Sequence, residues 1–211
     1  LKDGAELALK NVEHVQICAC GTSYYATMVA KLWLEQYAQI PVTADIASEY
    51  RYNTTPKIKN SLFIAVSQSG ETADTLAALR KAKDHNYIST IAVCNVLESS
   101  LAREADRCLP TSAGPEIGVA STKAFVSQLA TLALMGIAVG DQIGVGKKAL
   151  KAALSQIKAL PDIIESILGM SEEIEEMTWG LDGKKHALFL GRGLHYPIAL
   201  EGALKMKEIS Y

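Results

Sequence analysis

Short strand-like runs alternate with helical stretches through the first two thirds of the chain, and this alternation constrains the fold more than any other feature. The runs are HVQICA (14–19), VTADIA (42–47), SLFIAV (61–66), ISTIAVC (88–94) and Arg107–Thr111. Between and after them, helical patterns cover 23–39, with Met28, Leu32 and Tyr37 turned inward, then 72–85, 99–105 and 121–139. Strands of five to seven residues separated by helices make βαβ units and a parallel sheet. The runs at 14–19, 61–66 and 88–94 are apolar almost throughout rather than alternating, which requires cover on both sheet faces. Residues 14–140 therefore read as a doubly wound α/β sandwich with a parallel sheet. In such folds ligands bind outside the carboxyl ends of the strands.

Composition excludes several partner classes. Apolar residues make up 49% of the 211, charged residues 21%, and the net charge is −2. That balance builds a globular core and argues against nucleic acid or an anionic membrane as the partner. The longest apolar stretch, LATLALMGIAVG (129–140), reads as a buried helix, since it is too short to span a bilayer. No secretory signal is visible, the first residue is Leu rather than Met, and the expectation is a piece of a longer cytoplasmic chain. Cys18, Cys20, Cys94 and Cys108 form no CxxC pair and read as reduced structural thiols. His14, His85, His186 and His195 show no metal-ligand spacing, so no metal is expected.

After Gly140 the pattern changes. Residues 141–183 read as a helical connector with a break at Pro161. HALFL (186–190) then reads as a strand, followed by Gly-Arg-Gly and a helix from Tyr196. This stretch repeats the start of the chain: residues 19–24 align with 191–196, each a strand, a glycine turn and a helix opening near a tyrosine. The expected division is a first domain (1–140), a connector (141–183) and the beginning of a second copy (184–211). Its incomplete sheet would leave Ala187–Leu190 exposed.

Three polar turns enter helices. SQSGET (67–72) follows the third strand, at the edge where ligands bind. Ser67, Ser69 and Thr72 offer hydroxyls, Gln68 an amide, and Gly70 allows close backbone approach. With no Lys or Arg, the turn is not a nucleotide-binding GxxxxGK[ST] loop. It suits a phosphate monoester held by neutral donors at a helix N-terminus, or ordinary capping by Ser69 or Thr72. CGTS (20–23) offers Thr22 and Ser23 in the same two ways. EIGVASTK (116–123) does so with Ser121 and Thr122. In the last helix Glu201, Lys205 and Glu208 share one face, opposite Ala199, Gly202, Ala203, Met206 and Ile209. They make either a solvated salt-bridge ladder or a carboxylate base beside a cation, the arrangement for moving a proton next to a carbonyl.

CGTSYYA (20–26), SQSGETADTLAAL (67–79), EIGVASTKAF (116–125) and GRGLHYPIALEGALKMKEISY (191–211) together resemble the sugar isomerase (SIS) domain family. The likeness extends to the isomerase half of glutamine-dependent fructose-6-phosphate aminotransferases. SQSGET alone marks a SIS domain, and the ordered set is far more specific. The resemblance implies two SIS units in tandem and a phosphosugar ligand, fructose 6-phosphate as substrate and glucosamine 6-phosphate as product. It implies that Ser67, Gln68, Ser69 and Thr72 hold the phosphate, that Thr22 and Ser23 line the sugar site, and that Val119 and Ser121 contact the sugar. It implies Glu208 as the base between C1 and C2, with Lys205 assisting, and no metal or organic cofactor. It further implies a homodimer and a glutaminase domain in the parent chain. The family's nucleophilic cysteine, Schiff-base lysine and partner-subunit histidine have no counterpart in these 211 residues, so turnover by this chain alone is not expected. Two other readings of the same motifs are a non-catalytic phosphosugar-binding SIS module and a plain phosphosugar isomerase.

Overall fold

A computed structural model describes residues 11–54, 56 and 58–210. The first ten residues of the expected 1–140 domain lie outside the described residues. Five parallel strands form one sheet in the order β2-β1-β3-β4-β5: β1 His14–Ala19, β2 Val42–Ile46, β3 Ser61–Ser67, β4 Ser89–Cys94 and β5 Arg107–Pro110. Every residue of β1 and β3 is buried, which is why their sequences are mostly apolar. Alternate side chains serve two cores. Val15, Ile17, Leu62, Ile64, Val66, Ile91 and Val93 face one layer, and Cys18, Phe63, Ala65 and Ala92 the other.

The first layer is α1 (Gly21–Ala38) against α5 (Lys123–Gln142). The second is α2 (Ala47–Tyr50), α3 (Ala73–Lys83) and α4 (Ser100–Glu104). Helix α1 buries Ala26, Val29, Ala30, Leu34 and Ala38, while Met28, Leu32 and Tyr37 are only half-buried. The expected inward face was displaced because the small residues face α5. The two helices pack closely: a Cβ on Gly140 would lie 2.3 Å from the carbonyl oxygen of Tyr37.

Helix α5 runs 20 residues, and among the described residues it is the one helix long and apolar enough to cross a bilayer. The helix expected over 121–139 is present, extending beyond the 12-residue apolar stretch at both ends. Its apolar face (Ala124, Leu132, Met135, Val139) is packed inside the domain. All four cysteines are free thiols, and burial pushes the Cys18 thiol up and that of Cys108 up to about 11.

Two expectations fail in the last third. Helix α6 (Lys147–Leu168) passes through Pro161 without a break. An interior proline costs about 3 kcal/mol through one lost hydrogen bond and a local clash, and the remaining turns of the 22-residue helix keep their own bonds. Helix α7 (Ser171–Thr178) and a 3-10 turn at Trp179–Leu181 follow. Residues 186–190 form no strand, because a strand needs a neighbour for its backbone groups and no sheet edge is offered here. Leu188 and Leu190 are 88% and 87% exposed. The expected helix is present as α8 (His195–Ile209), packed against α1. Gly21 and Gly193, matched by the internal repeat, both adopt left-handed backbone, with φ of 55° and 60°.

Candidate active site

Strands β1 and β3 are neighbours, yet the chain leaves β1 for α1 on one face and β3 for α3 on the other. That divergence opens a crevice at their carboxyl ends. A cleft of about 200 Å³ occupies it. Thr22, Ser23, Ser67, Gln68, Ser69, Thr72 and Ser121 all line it, so seven of the eight expected ligand-binding residues come together. Val119 does not: it is 95% exposed on the loop before α5 and turned to solvent. The sequence reading missed Cys20 and Thr75, which also line the cleft. Cys20 was legible as the first residue of CGTS, and Thr75 as the position one turn after Thr72.

Capping does not account for these turns. The residues preceding α1, α3 and α5 are Cys20, Thr72 and Thr122, and none makes a side-chain cap hydrogen bond. Instead the hydroxyls brace the loop. Ser67 Oγ accepts from Gly70 N–H at 3.0 Å and lies 3.4 Å from Thr72 Oγ1, and Ser69 Oγ accepts from Glu71 N–H at 3.2 Å. Gly70 is indispensable: its φ is +69°, and a Cβ would fall 2.1 Å from Ser99 Oγ. The loop is also tied to the β4–α4 connection, with Asn95 N–H donating to Gln68 C=O at 3.2 Å and Leu101 N–H to Gly70 C=O at 3.0 Å. Ser100 N–H donates to Glu71 at 2.7 Å and holds that carboxyl below its usual range.

At α5 the N-terminus is served by Glu116, which accepts from Ala124 N–H at 3.0 Å and Thr122 N–H at 3.4 Å. Burial pushes the Glu116 carboxyl up, but these bonds outweigh it and hold it below the usual range. The N-termini of α1 and α3 are left facing the cleft without side-chain caps. Their positive dipole ends, ringed by hydroxyls and an amide, make a site for an anion of small, oxygen-rich character.

Helix α8 adds charge at the margin. Lys205 Nζ donates to Thr22 Oγ1 at 3.0 Å and to Glu208 Oε2 at 2.6 Å, and lies 3.4 Å from Glu201 Oε1. Thr22 Oγ1 in turn donates a hydrogen bond to Glu201 Oε1 at 3.0 Å. Lys205 and Glu208 do not border the cleft; Thr22, which does, joins them to it. A solvated ladder is ruled out by Glu201, only 6% exposed, whose Oε2 has no hydrogen-bond partner. Burial raises the Glu201 carboxyl above its usual range, against the opposing pull of Thr22 and Lys205. The ensemble can hold an anion and present a carboxylate–ammonium pair beside it.

Known proteins resemble the chain in sequence and in fold. The SIS domain pattern matches residues 8–138. Glutamine–fructose-6-phosphate aminotransferase [isomerizing] of Idiomarina loihiensis is 51% identical over 203 residues, 96% of this chain and 33% of that protein. Its counterpart in Legionella pneumophila (strain Lens) is 54% identical over 200 residues, 95% of this chain and 32% of that protein. The chain thus spans about a third of the length of the curated relatives it matches. Among solved structures, the C-terminal domain of glucosamine-fructose-6-phosphate aminotransferase from Francisella tularensis superposes with a TM-score of 0.94. It is 46% identical, with 96% of this chain and 58% of that one covered. With the pattern matched over most of the chain and the cleft built from its motifs, the chain belongs to the SIS domain family.

Proposed function

We propose that this chain is the phosphosugar-binding part of the isomerase of a glutamine–fructose-6-phosphate aminotransferase. The observation that carries the reading is the cleft itself: seven neutral hydroxyl and amide side chains between two uncapped helix N-termini, joined through Thr22 to a Lys205–Glu208 pair. Ser67, Gln68, Ser69 and Thr72 take the phosphate of fructose 6-phosphate. Thr22, Ser23 and Ser121 hold sugar hydroxyls. In the complete enzyme the ring opens and ammonia from glutamine condenses at C2 with loss of water. Glu208 then takes a proton from C1 and returns it at C2, giving glucosamine 6-phosphate. Lys205 holds the Glu208 carboxyl in place. A glutaminase domain, a second SIS unit beginning near residue 184, a homodimer and a cytoplasmic location belong to the same reading.

Glu208→Gln in a full-length enzyme tests it. Fructose 6-phosphate should still bind, while glucosamine 6-phosphate formation should fall by roughly 10²-fold or more, the scale of a lost general base. Unchanged product formation would remove Glu208 from the mechanism. No calorimetric heat with fructose 6-phosphate or glucosamine 6-phosphate would remove the ligand assignment.

A further inference from the structure

A buried amide stands directly behind the cleft. Gln128 on α5 is 1% exposed and lies one helical turn from Ala124 and from Leu132, which are 1% and 0% exposed. It is thus set in the apolar stripe that α5 turns inward. Its Nε2 donates to Ser23 Oγ at 2.9 Å, and Ser23 lines the cleft. Among the described residues no other side chain is bonded to that hydroxyl. The amide's Oε1 is buried without a partner.

We propose that Gln128 is a positioning residue that holds the Ser23 hydroxyl as a hydrogen-bond donor toward a phosphosugar oxygen in the cleft. This rests on the phosphosugar reading given above. A serine hydroxyl has one proton and two lone pairs. With a donor fixed behind it, one lone pair is used and the proton is left for an acceptor on the open side. The amide orientation follows from the same bookkeeping. Turned over, Oε1 would accept from Ser23, and both Nε2 protons rather than one would lack acceptors in an apolar space. A leucine at 128 would fill the stripe with no orphaned oxygen, so packing gives no reason for an amide there. Gln128→Leu removes the orphaned Oε1, and the Ser23 hydroxyl it leaves behind faces the cleft, where water can satisfy it, so little stability is lost. A role in holding Ser23 and a role in holding the fold therefore predict opposite outcomes.

The test is isothermal titration of the chain with fructose 6-phosphate, alongside thermal unfolding, for Gln128→Leu, Ser23→Ala and the double variant. Gln128→Leu should melt no lower than the unmodified chain yet bind roughly fivefold to tenfold more weakly, the worth of one oriented hydrogen bond. In the Ser23→Ala background the same substitution should change affinity by less than about twofold. Gln128→Glu supplies a second readout. Its buried carboxyl donates to Ser23 when protonated and accepts when ionised, so its affinity relative to the unmodified chain should fall as pH rises. Binding by Gln128→Leu within twofold of the unmodified chain overturns the proposal. So does an equal loss with Ser23 absent, or a flat pH ratio for Gln128→Glu. If the unmodified chain binds no fructose 6-phosphate, the ligand reading falls and this inference with it. Binding that Gln128 does not affect overturns the inference alone.

Discussion

Glu201 is a single side chain beside the cleft that departs from its ordinary behaviour. Its carboxyl is nearly enclosed, one oxygen is unpartnered, and burial raises it above its usual range. A carboxyl raised on folding binds more protons folded than unfolded, so between its ordinary value of 4.5 and its folded value stability falls as pH rises. Glu201→Gln keeps the shape and abolishes the titration. Its melting temperature relative to the unmodified chain should therefore climb as pH rises from about 4.5, and the two should draw together below it. A series of melts across pH 4–8 reads this directly; a difference that does not move with pH would mean that Thr22 and Lys205 cancel the burial. Helical spacing placed Glu201, Lys205 and Glu208 on one face. That the face meets Thr22, 179 residues away from Glu201 in the chain, is a fact of packing.

Among the elements, the turn from β3 to α3 was the most legible and is the most constrained. An apolar strand, a glycine and a helical pattern located it from sequence. What spacing could not supply was the brace: Cys94 and Ser99, from β4 and the residue before α4, lie against Gly70. A β-carbon there would meet Cys94 Sγ at 2.7 Å as well as the serine, in left-handed backbone that a side chain resists. Gly70→Ala should cost about 2–4 kcal/mol in denaturant unfolding, strain and overpacking together, and should weaken phosphosugar binding in the fraction that folds. A loss below about 0.5 kcal/mol would show the turn to be pliable. The strand expected at 186–190 marks the opposite case. Its apolar pattern is real, but pattern alone forms no ladder, whereas the helix that follows satisfies its own backbone.

Across the whole molecule, an α/β domain with buried faces is joined to a helical extension whose residues 161–196 are all exposed. Ile163, Ile167, Leu168, Met177, Trp179, Leu188 and Leu190 lie in that extension, each at least half exposed. Apolar surface on this scale drives association. Sedimentation of the chain at rising concentration should show self-association, and Leu188→Lys with Leu190→Lys should shift it toward monomer; a monomer at every concentration would contradict this. Read alone, the sequence determined the five strands of the sheet, the main helices between them, the three polar turns and the charged face of α8, because each is written in local periodicity and turn chemistry. Only the tertiary structure decided that α1 and α3 leave the sheet on opposite faces, that the uncapped turns open onto one cleft, and that Val119 stays outside it. It also decided that Gln128 stands behind Ser23 and that α8 reaches Thr22. These are relations between residues far apart in the chain, and they arise from which surfaces are buried together, which no local pattern encodes.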